Sequence, residues 1–189
     1  MDLLRFKELM AKPPGQGAWE WQLFLEFVDV YFKNRRIKDP IVVEIGTRRN
    51  RQKTFYTELL GARHIGIDIS GGFSMPDVLG DSKDPKTLEA LKIMLGEKPI
   101  NLLFIDGSHK YEDVRSDYEV YGPLVKDIIA FHDISSSRLE VHKFWNTLVD
   151  YDAERTAKRS IRIGYGTGLI MLTEGEKIYD RFKNCDNYF

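Results

Sequence analysis

Cysteine is almost missing from this chain: Cys185 stands alone among 189 residues. A lone cysteine rules out an internal disulfide and a multi-cysteine zinc site. No stretch of about 18 apolar residues occurs, so nothing in the sequence reads as a membrane span. The N-terminus shows no apolar run of the kind a secretory signal carries. A reducing, cytoplasmic setting is therefore the expectation. Excess charge of one sign is absent too, with a net charge of −1. That balance argues against a duplex nucleic-acid binder, although a local basic patch is compatible with it. The full glycine loop G-x-G-x-x-G, which cradles a dinucleotide pyrophosphate, is missing as well, and this weighs against NAD. Internal repeats and low-complexity tracts are not found.

What is present suits one domain with a substantial core. The first forty residues read as helical. Trp19, Leu23, Phe24, Phe27, Val28 and Tyr31 recur at helical spacing. Pro13, Pro14 and Gly15 set this helix apart from a shorter one before it. Trp19 and Trp21 read as core or rim aromatics, and the aromatics of this segment are a candidate surface for a homo-oligomer.

From there strands and helices alternate. Strands are expected at Ile41 to Ile45, His64 to Ile69, Pro76 to Gly80, Asn101 to Ile105 and Ile128 to Phe131. Helices are expected at Thr54 to Leu60, Pro85 to Leu95, Tyr111 to Tyr121 and Leu139 to Val149. Asp84 is a natural N-cap, and Gly96 a natural stop. Ile161 to Ile163 and Gly168 to Leu172 flank a glycine-rich turn and read as a terminal hairpin. The fold class is therefore α/β: a Rossmann-like, doubly wound, mostly parallel seven-stranded sheet. An antiparallel C-terminal hairpin forms its edge, and a helical segment precedes it. Residues 1–40 form that segment, 41–173 the core and 174–189 a tail of the same domain.

In such sheets ligands bind beyond the carboxyl ends of the strands. Polar residues gather there: Glu44 and Gly46, then Asp68, then Asp81 and Ser82, then Asp106 with His109, then His132 and Asp133. A single acid at a strand end commonly caps the next helix, but five in register point to a site. Gly46 lets the backbone turn sharply and approach a ligand. Asp68 lies roughly twenty residues beyond that glycine, the spacing of a carboxylate that accepts hydrogen bonds from a ribose diol.

The segments VVEIG, IGIDIS, GDS, LLFIDGSHKYEDVRSDYEVYGPLV and IIAFHDIS carry a resemblance. They are similar to the class I S-adenosylmethionine-dependent methyltransferases. The likeness is to the branch that includes cephalosporin-hydroxylase-like and macrocin O-methyltransferase-like proteins. It runs from about Ile41 to Leu172, with IDGSHKYEDVRSD its strongest part. The resemblance implies S-adenosylmethionine as cofactor. Glu44 and Gly46 would hold its methionine moiety, Asp68 its ribose, and Asp81 and Ser82 would border its adenine. Asp106 would sit beside the reacting methyl group.

Two departures stand out. Where the family has a small residue or glycine, this chain has Asn50, within Arg48-Arg49-Asn50-Arg51. Asn tolerates the left-handed conformation such a turn needs. The arginines are open to three readings: solvated charge, partners for the cofactor carboxylate or an anionic substrate, or a plug that ends cofactor binding. Before the fifth strand, Val125, Lys126 and Asp127 replace a proline-glycine-glycine turn.

Asp106 and Asp133 are hard oxygen donors at the ends of neighbouring strands and would suit Mg²⁺, with His132 a third candidate ligand. The alternative makes Asp133 a helix cap and His132 a packed histidine. His109 is the candidate general base, since an imidazole suits proton removal near neutral pH; the alternative is an N-cap-like role for the helix from Tyr111. Glu112, Asp113 and Asp117, with Arg115, are expected on that helix's solvated face, and His64 and His142 in structural roles. The function expected is transfer of a methyl group to oxygen, ahead of nitrogen, on a small molecule or sugar. A metal-dependent hydroxylase-like enzyme and an inactive binding or assembly module on the same fold remain the rivals.

Overall fold

A computed structural model describes residues 1–71, 74–148, 157–162 and 164–172. The N-terminal segment forms helices α1 (Leu3–Leu9) and α2 (Ala18–Asn34). There follow β1 (Ile41–Ile45), α3 (Gln52–Leu59), β2 (Arg63–Asp68), β3 (Val78–Leu79) and α4 (Pro85–Leu95). The chain continues through β4 (Ile100–Ile105), α5 (Tyr111–Tyr121), β5 (Val125–Phe131) and α6 (Val141–Thr147). It closes with β6 (Ala157–Ile161) and β7 (Thr167–Met171). No helix among the described residues is long and apolar enough to cross a membrane.

The seven strands form one sheet in the order β3-β2-β1-β4-β5-β7-β6. Pairs from β3 through β5 are parallel, while β5–β7 and β6–β7 are antiparallel. The strand order reverses between β1 and β4, which opens a crevice at their carboxyl ends. The expected architecture is therefore present. One detail differs: β7 lies inside β6, so the second hairpin strand joins the parallel part. Ile163 and the tail at 174–189 lie outside the described residues.

Alternation along each strand serves two cores. Val42, Leu102, Phe104, Ile128 and Leu169 face α1, α2 and α3. Val43, Ile45, Leu103, Ile105 and Phe131 face α4, α5 and α6. Trp21 is the hub of the first core, with ring centroids 5.2 Å from Phe24, 5.6 Å from Tyr56 and 5.8 Å from Phe104. Burial of such a ring removes a large apolar area from water, worth about 2–3 kcal/mol. Trp19, by contrast, is 70% exposed. The apolar stripe of α2 starts at Trp21, not Trp19.

Helices α4 and α5 begin and end where the sequence places them. Asp84 accepts a hydrogen bond from Lys86 N, and Gly96 adopts φ 62° as α4 stops. β5 is longer than expected. Val125, Lys126 and Asp127 begin the strand and do not form a turn. Buried Asp127 accepts from Asn101 Nδ2 at 2.8 Å, and Asn101 Oδ1 accepts from Ile41 N at 2.8 Å. These polar links tie the start of β5 to β4 and β1.

Candidate active site

The cleft at the switch point has a volume of about 990 Å³. Gly46, Asp68, Asp81, Ser82, Asp106, His109, His132 and Asp133 all line it. Glu44 does not. Its place on β1 turns it to the α2–α3 side, where it is fully buried and bonded to His64 Nε2 at 2.8 Å. Burial raises its pKa, and the contact with His64 opposes that rise.

The loop after β1 keeps the cleft open. Gly46 has φ 90°, and a Cβ there would lie 2.2 Å from the Asp106 carbonyl oxygen. The glycine is thus needed for the approach of the β1 and β4 ends as well as for any ligand. Asn50 adopts φ 52°, as its residue type allows, and Arg48 also adopts a left-handed φ of 49°. Such a conformation costs a non-glycine residue about 1–2 kcal/mol. Part of the return is visible: Arg48 N donates to Asp68 Oδ2 at 2.7 Å. Ser70 N donates to Asp68 Oδ1 at 2.9 Å. The two backbone donors fix the carboxylate that faces the cleft. Arg51 Nη1 reaches away from the cleft to the Pro13 carbonyl at 3.0 Å. It clasps the segment linking α1 and α2.

Beyond Asp68, Asp81 accepts from Lys83 N, and the Ser82 carbonyl accepts from Tyr121 Oη at 2.7 Å. Asp117 is not on a solvated face. It is 2% exposed, and burial raises its pKa to about 6 despite a hydrogen bond with Ser82. Asp113 pairs with Lys83 at 2.7 Å and with Ser108 Oγ at 2.6 Å.

At the other end of the cleft the charged groups converge. His109 Nε2 lies 3.9 Å from Asp106 and 2.9 Å from Asp133. These two carboxylates raise the His109 pKa to about 9. Asp133 has φ 63°, a strained backbone of the sort that concentrates at functional sites. Burial works against its ionisation, yet His109 and His132 hold its pKa well below the usual carboxylate range. His132, 6% exposed, places Nδ1 3.2 Å from Asp106 and 3.4 Å from Asp133, and Nε2 3.4 Å from Glu20. Burial alone would lower its pKa, but the three carboxylates push it up to about 12.

Neither helix-cap alternative is realised. The N-cap of α6 is Glu140 and not Asp133, and the N-cap of α5 is Lys110 and not His109. Glu140 performs the capping across the fold. Its carboxylate accepts from Tyr111 N at 3.1 Å, and its own N–H donates to the His109 carbonyl at 2.9 Å. That exchange anchors the His109 loop.

Asp106, His109 and Asp133 each offer one ligand atom, all within 4.8 Å of one another. Two carboxylates and one imidazole fit a hard or borderline divalent cation. The sequence pairs Asp106 and Asp133 with His132, whose Nδ1 lies 3.2 Å and 3.4 Å from them; the cluster within 4.8 Å brings in His109.

Two residues of this centre escape sequence reasoning. Gln16 Nε2 donates to Asp106 Oδ2 at 2.9 Å. Glu20, with no exposed surface, accepts from Thr167 Oγ1 at 2.7 Å. A signal for Glu20 does exist: it stands four residues before Phe24, on the apolar stripe of α2.

Residues 61–134 match a family model described as a methyltransferase domain. No curated protein sequence matches the chain. Among solved structures, the MycE methyltransferase from the mycinamycin biosynthetic pathway, in complex with Mg, SAH and mycinamycin VI, aligns with a TM-score of 0.61 at 17% identity. The match covers 92% of this chain and 56% of that one, so this chain spans little more than half of MycE. A putative caffeoyl-CoA O-methyltransferase from Staphylococcus aureus aligns with a TM-score of 0.63 at 13% identity, over 92% of this chain and 90% of that one. An O-methyltransferase from Bacillus cereus in complex with SAH gives 0.60 at 12% identity, over 90% and 88%. The chain shares its fold with these solved methyltransferases, in keeping with the sequence motifs.

Proposed function

We propose that this chain is an S-adenosylmethionine-dependent O-methyltransferase acting on a hydroxyl group of a small molecule or sugar. The observation that carries the reading is the layout of the cleft. Gly46, Asp68, Asp81 and Ser82 run along one end of it, and Asp106, His109 and Asp133 close the other. MycE and the Bacillus cereus enzyme, which share the fold, are described with SAH, and MycE with Mg as well.

S-adenosylmethionine supplies an already activated methyl group, so the protein's work is positioning and deprotonation. Asp68, held by Arg48 N and Ser70 N, accepts from the ribose hydroxyls. Gly46 allows close backbone approach. Asp106, His109 and Asp133 are the residues that would hold Mg²⁺. When bound there, such an ion supplies Lewis acidity that lowers the pKa of an acceptor hydroxyl. When no ion occupies the centre, His109, oriented by Asp133 and by the Glu140 N–H on its own carbonyl, is instead the group that takes the acceptor proton. An imidazole with a pKa of about 9 is protonated at neutral pH. It can act as a base only after losing that proton. Activity limited by this step rises as pH climbs toward 9 in metal-free protein.

The open cleft argues against a plugged, purely structural module. The mixed charge of its walls suits a small-molecule acceptor, and the single Cys185 fits a cytoplasmic enzyme. Calorimetric titration with S-adenosylhomocysteine, with and without Mg²⁺, tests the reading. Saturable binding is expected, with a gain of about 2.7 kcal/mol in stability at a hundred times the dissociation constant. No binding at millimolar ligand overturns it.

A further inference from the structure

Glu20 belongs to the N-terminal helix, yet its carboxylate ends inside the reaction centre with none of its surface exposed. Its contacts run in two directions. Oε1 accepts from Thr167 Oγ1 at 2.7 Å and lies 3.4 Å from His132 Nε2. Oε2 is buried without a hydrogen-bond partner. Gly164 leaves room beside it: a Cβ there would stand 2.8 Å from that oxygen. A buried carboxylate with only one of its oxygens hydrogen-bonded is costly to keep. A residue that merely joined α2 to β7 could do so as a neutral side chain. On its other edge, His132 turns Nδ1 to Asp106 at 3.2 Å and to Asp133 at 3.4 Å. Neither ring nitrogen is aligned for a hydrogen bond, yet carboxylates flank the ring on both edges.

We infer that Glu20 is a positioning residue: it fixes the His132 ring from beneath, and His132 in turn sets the separation and aim of Asp106 and Asp133. This rests on the methyltransferase reading only for what the two aspartates do. The ordering of the cluster itself is a property of the chain. Among the described residues no hydrogen bond or ion pair joins Glu20 to Asp106 or Asp133, so its influence passes through the ring. Partners one step removed from a metal typically alter its affinity by about 10–100-fold when changed.

The test compares wild type with Glu20→Gln, which keeps the shape and the acceptor for Thr167 but removes the charge. Thr167→Val serves as the second variant. It keeps the β-branched shape in β7 and deletes only the hydroxyl that anchors Glu20. Two readouts are taken on metal-free protein and with Mn²⁺ as the probe. The first is the imidazole ¹H–¹⁵N NMR signals of His132 and His109, assigned with His132→Asn and His109→Asn. The second is Mn²⁺ affinity by calorimetry. Glu20→Gln should move both histidine signals and weaken Mn²⁺ at least tenfold. Thr167→Val should do the same to a lesser degree. A shift at His109 is the decisive signature, since Glu20 does not touch it.

Unchanged His109 signals and Mn²⁺ affinity in both variants, with only a lower melting temperature, would overturn the inference and leave Glu20 as a link between α2 and β7. Wild type that binds neither Mn²⁺ nor S-adenosylhomocysteine would refute the proposed function instead. In that case movement of both histidine signals still sustains the positioning role, and its absence refutes that too.

Discussion

Two buried glutamate–histidine pairs sit on the same face of the sheet and do different things. Glu44 and His64 meet at 2.8 Å with no exposed side-chain surface on either, in an aligned hydrogen bond. Tyr56 stacks on His64 with ring centroids 5.5 Å apart. Glu20 and His132 meet at 3.4 Å without alignment, and two further carboxylates press on the ring from its other side. Both pairs leave one carboxylate oxygen without a hydrogen-bond partner, Glu44 Oε1 and Glu20 Oε2, but the first pair lies off the cleft, with Asp77 at 3.8 Å from His64 Nδ1. The second is a crowd of charges whose mutual demands are not fully met. Residue type alone therefore says little about role. What separates the two is placement: His132 lines the cleft beside Asp106 and Asp133, while Glu44 and His64 lie off it.

The widest separation between the two regions should appear in His109→Ala. With an acceptor that turns over in wild type, kcat should fall by about 10²–10⁴-fold, while S-adenosylhomocysteine affinity stays unchanged. Equal loss of both would merge base and scaffold into one role.

Glu44→Ala should show the opposite profile. It strands buried His64 and should lower the unfolding free energy in urea by about 3 kcal/mol, with S-adenosylhomocysteine affinity retained. A large loss of affinity at constant stability would instead return Glu44 to the cofactor.

Asp68→Ala removes charge-assisted hydrogen bonds to a ribose and should weaken S-adenosylhomocysteine by about 2 kcal/mol, some thirtyfold, in calorimetry. Unchanged affinity would remove the ribose assignment.

Asp117→Asn gives the smallest effect. Burial raises the Asp117 pKa to about 6, well above the ordinary aspartate range. An acid with a raised folded pKa destabilises the fold at pH above that value, because the charged form is disfavoured there. The penalty shrinks as pH falls from about 6 to about 4, where folded and unfolded chains are both protonated. Asn at this position should add about 1 kcal/mol at pH 7.5 and nothing near pH 4, as read from melting curves across pH.

Much of the scaffold was legible because its signals are local. Asp84 and Gly96 bracket α4, and Tyr111 to Tyr121 was bounded correctly by its own pattern. Gly46, Asp68, Asp81 and Ser82 came into the cleft because strand ends in this topology converge. What was missed depends on contacts far apart in the chain. Glu44 shares its strand with cleft-lining residues, but alternation turned it to the opposite core. Asp117 looked solvated among charged neighbours, and only the packing of α5 against the Ser82 loop buries it. Gln16 and Glu20 lay in a segment read as packing alone. Val125 to Asp127 read as a turn because its strand pairing, Val125 with Ile100, is supplied by β4.

The links from the N-terminal segment into the charged cluster also bear on how the chain acquires its structure. Gln16 meets Asp106 across 90 positions, and Glu20 meets Thr167 across 147. Contacts of such separation carry the greatest loop-closure entropy and slow a folding reaction most. The sheet can condense around neighbouring strand–helix units first. The charged centre is then completed only when the two ends of the chain arrive together. Acquisition of ligand affinity should therefore lag behind acquisition of secondary structure during refolding. A chain whose sheet has formed is not yet a chain whose centre is assembled.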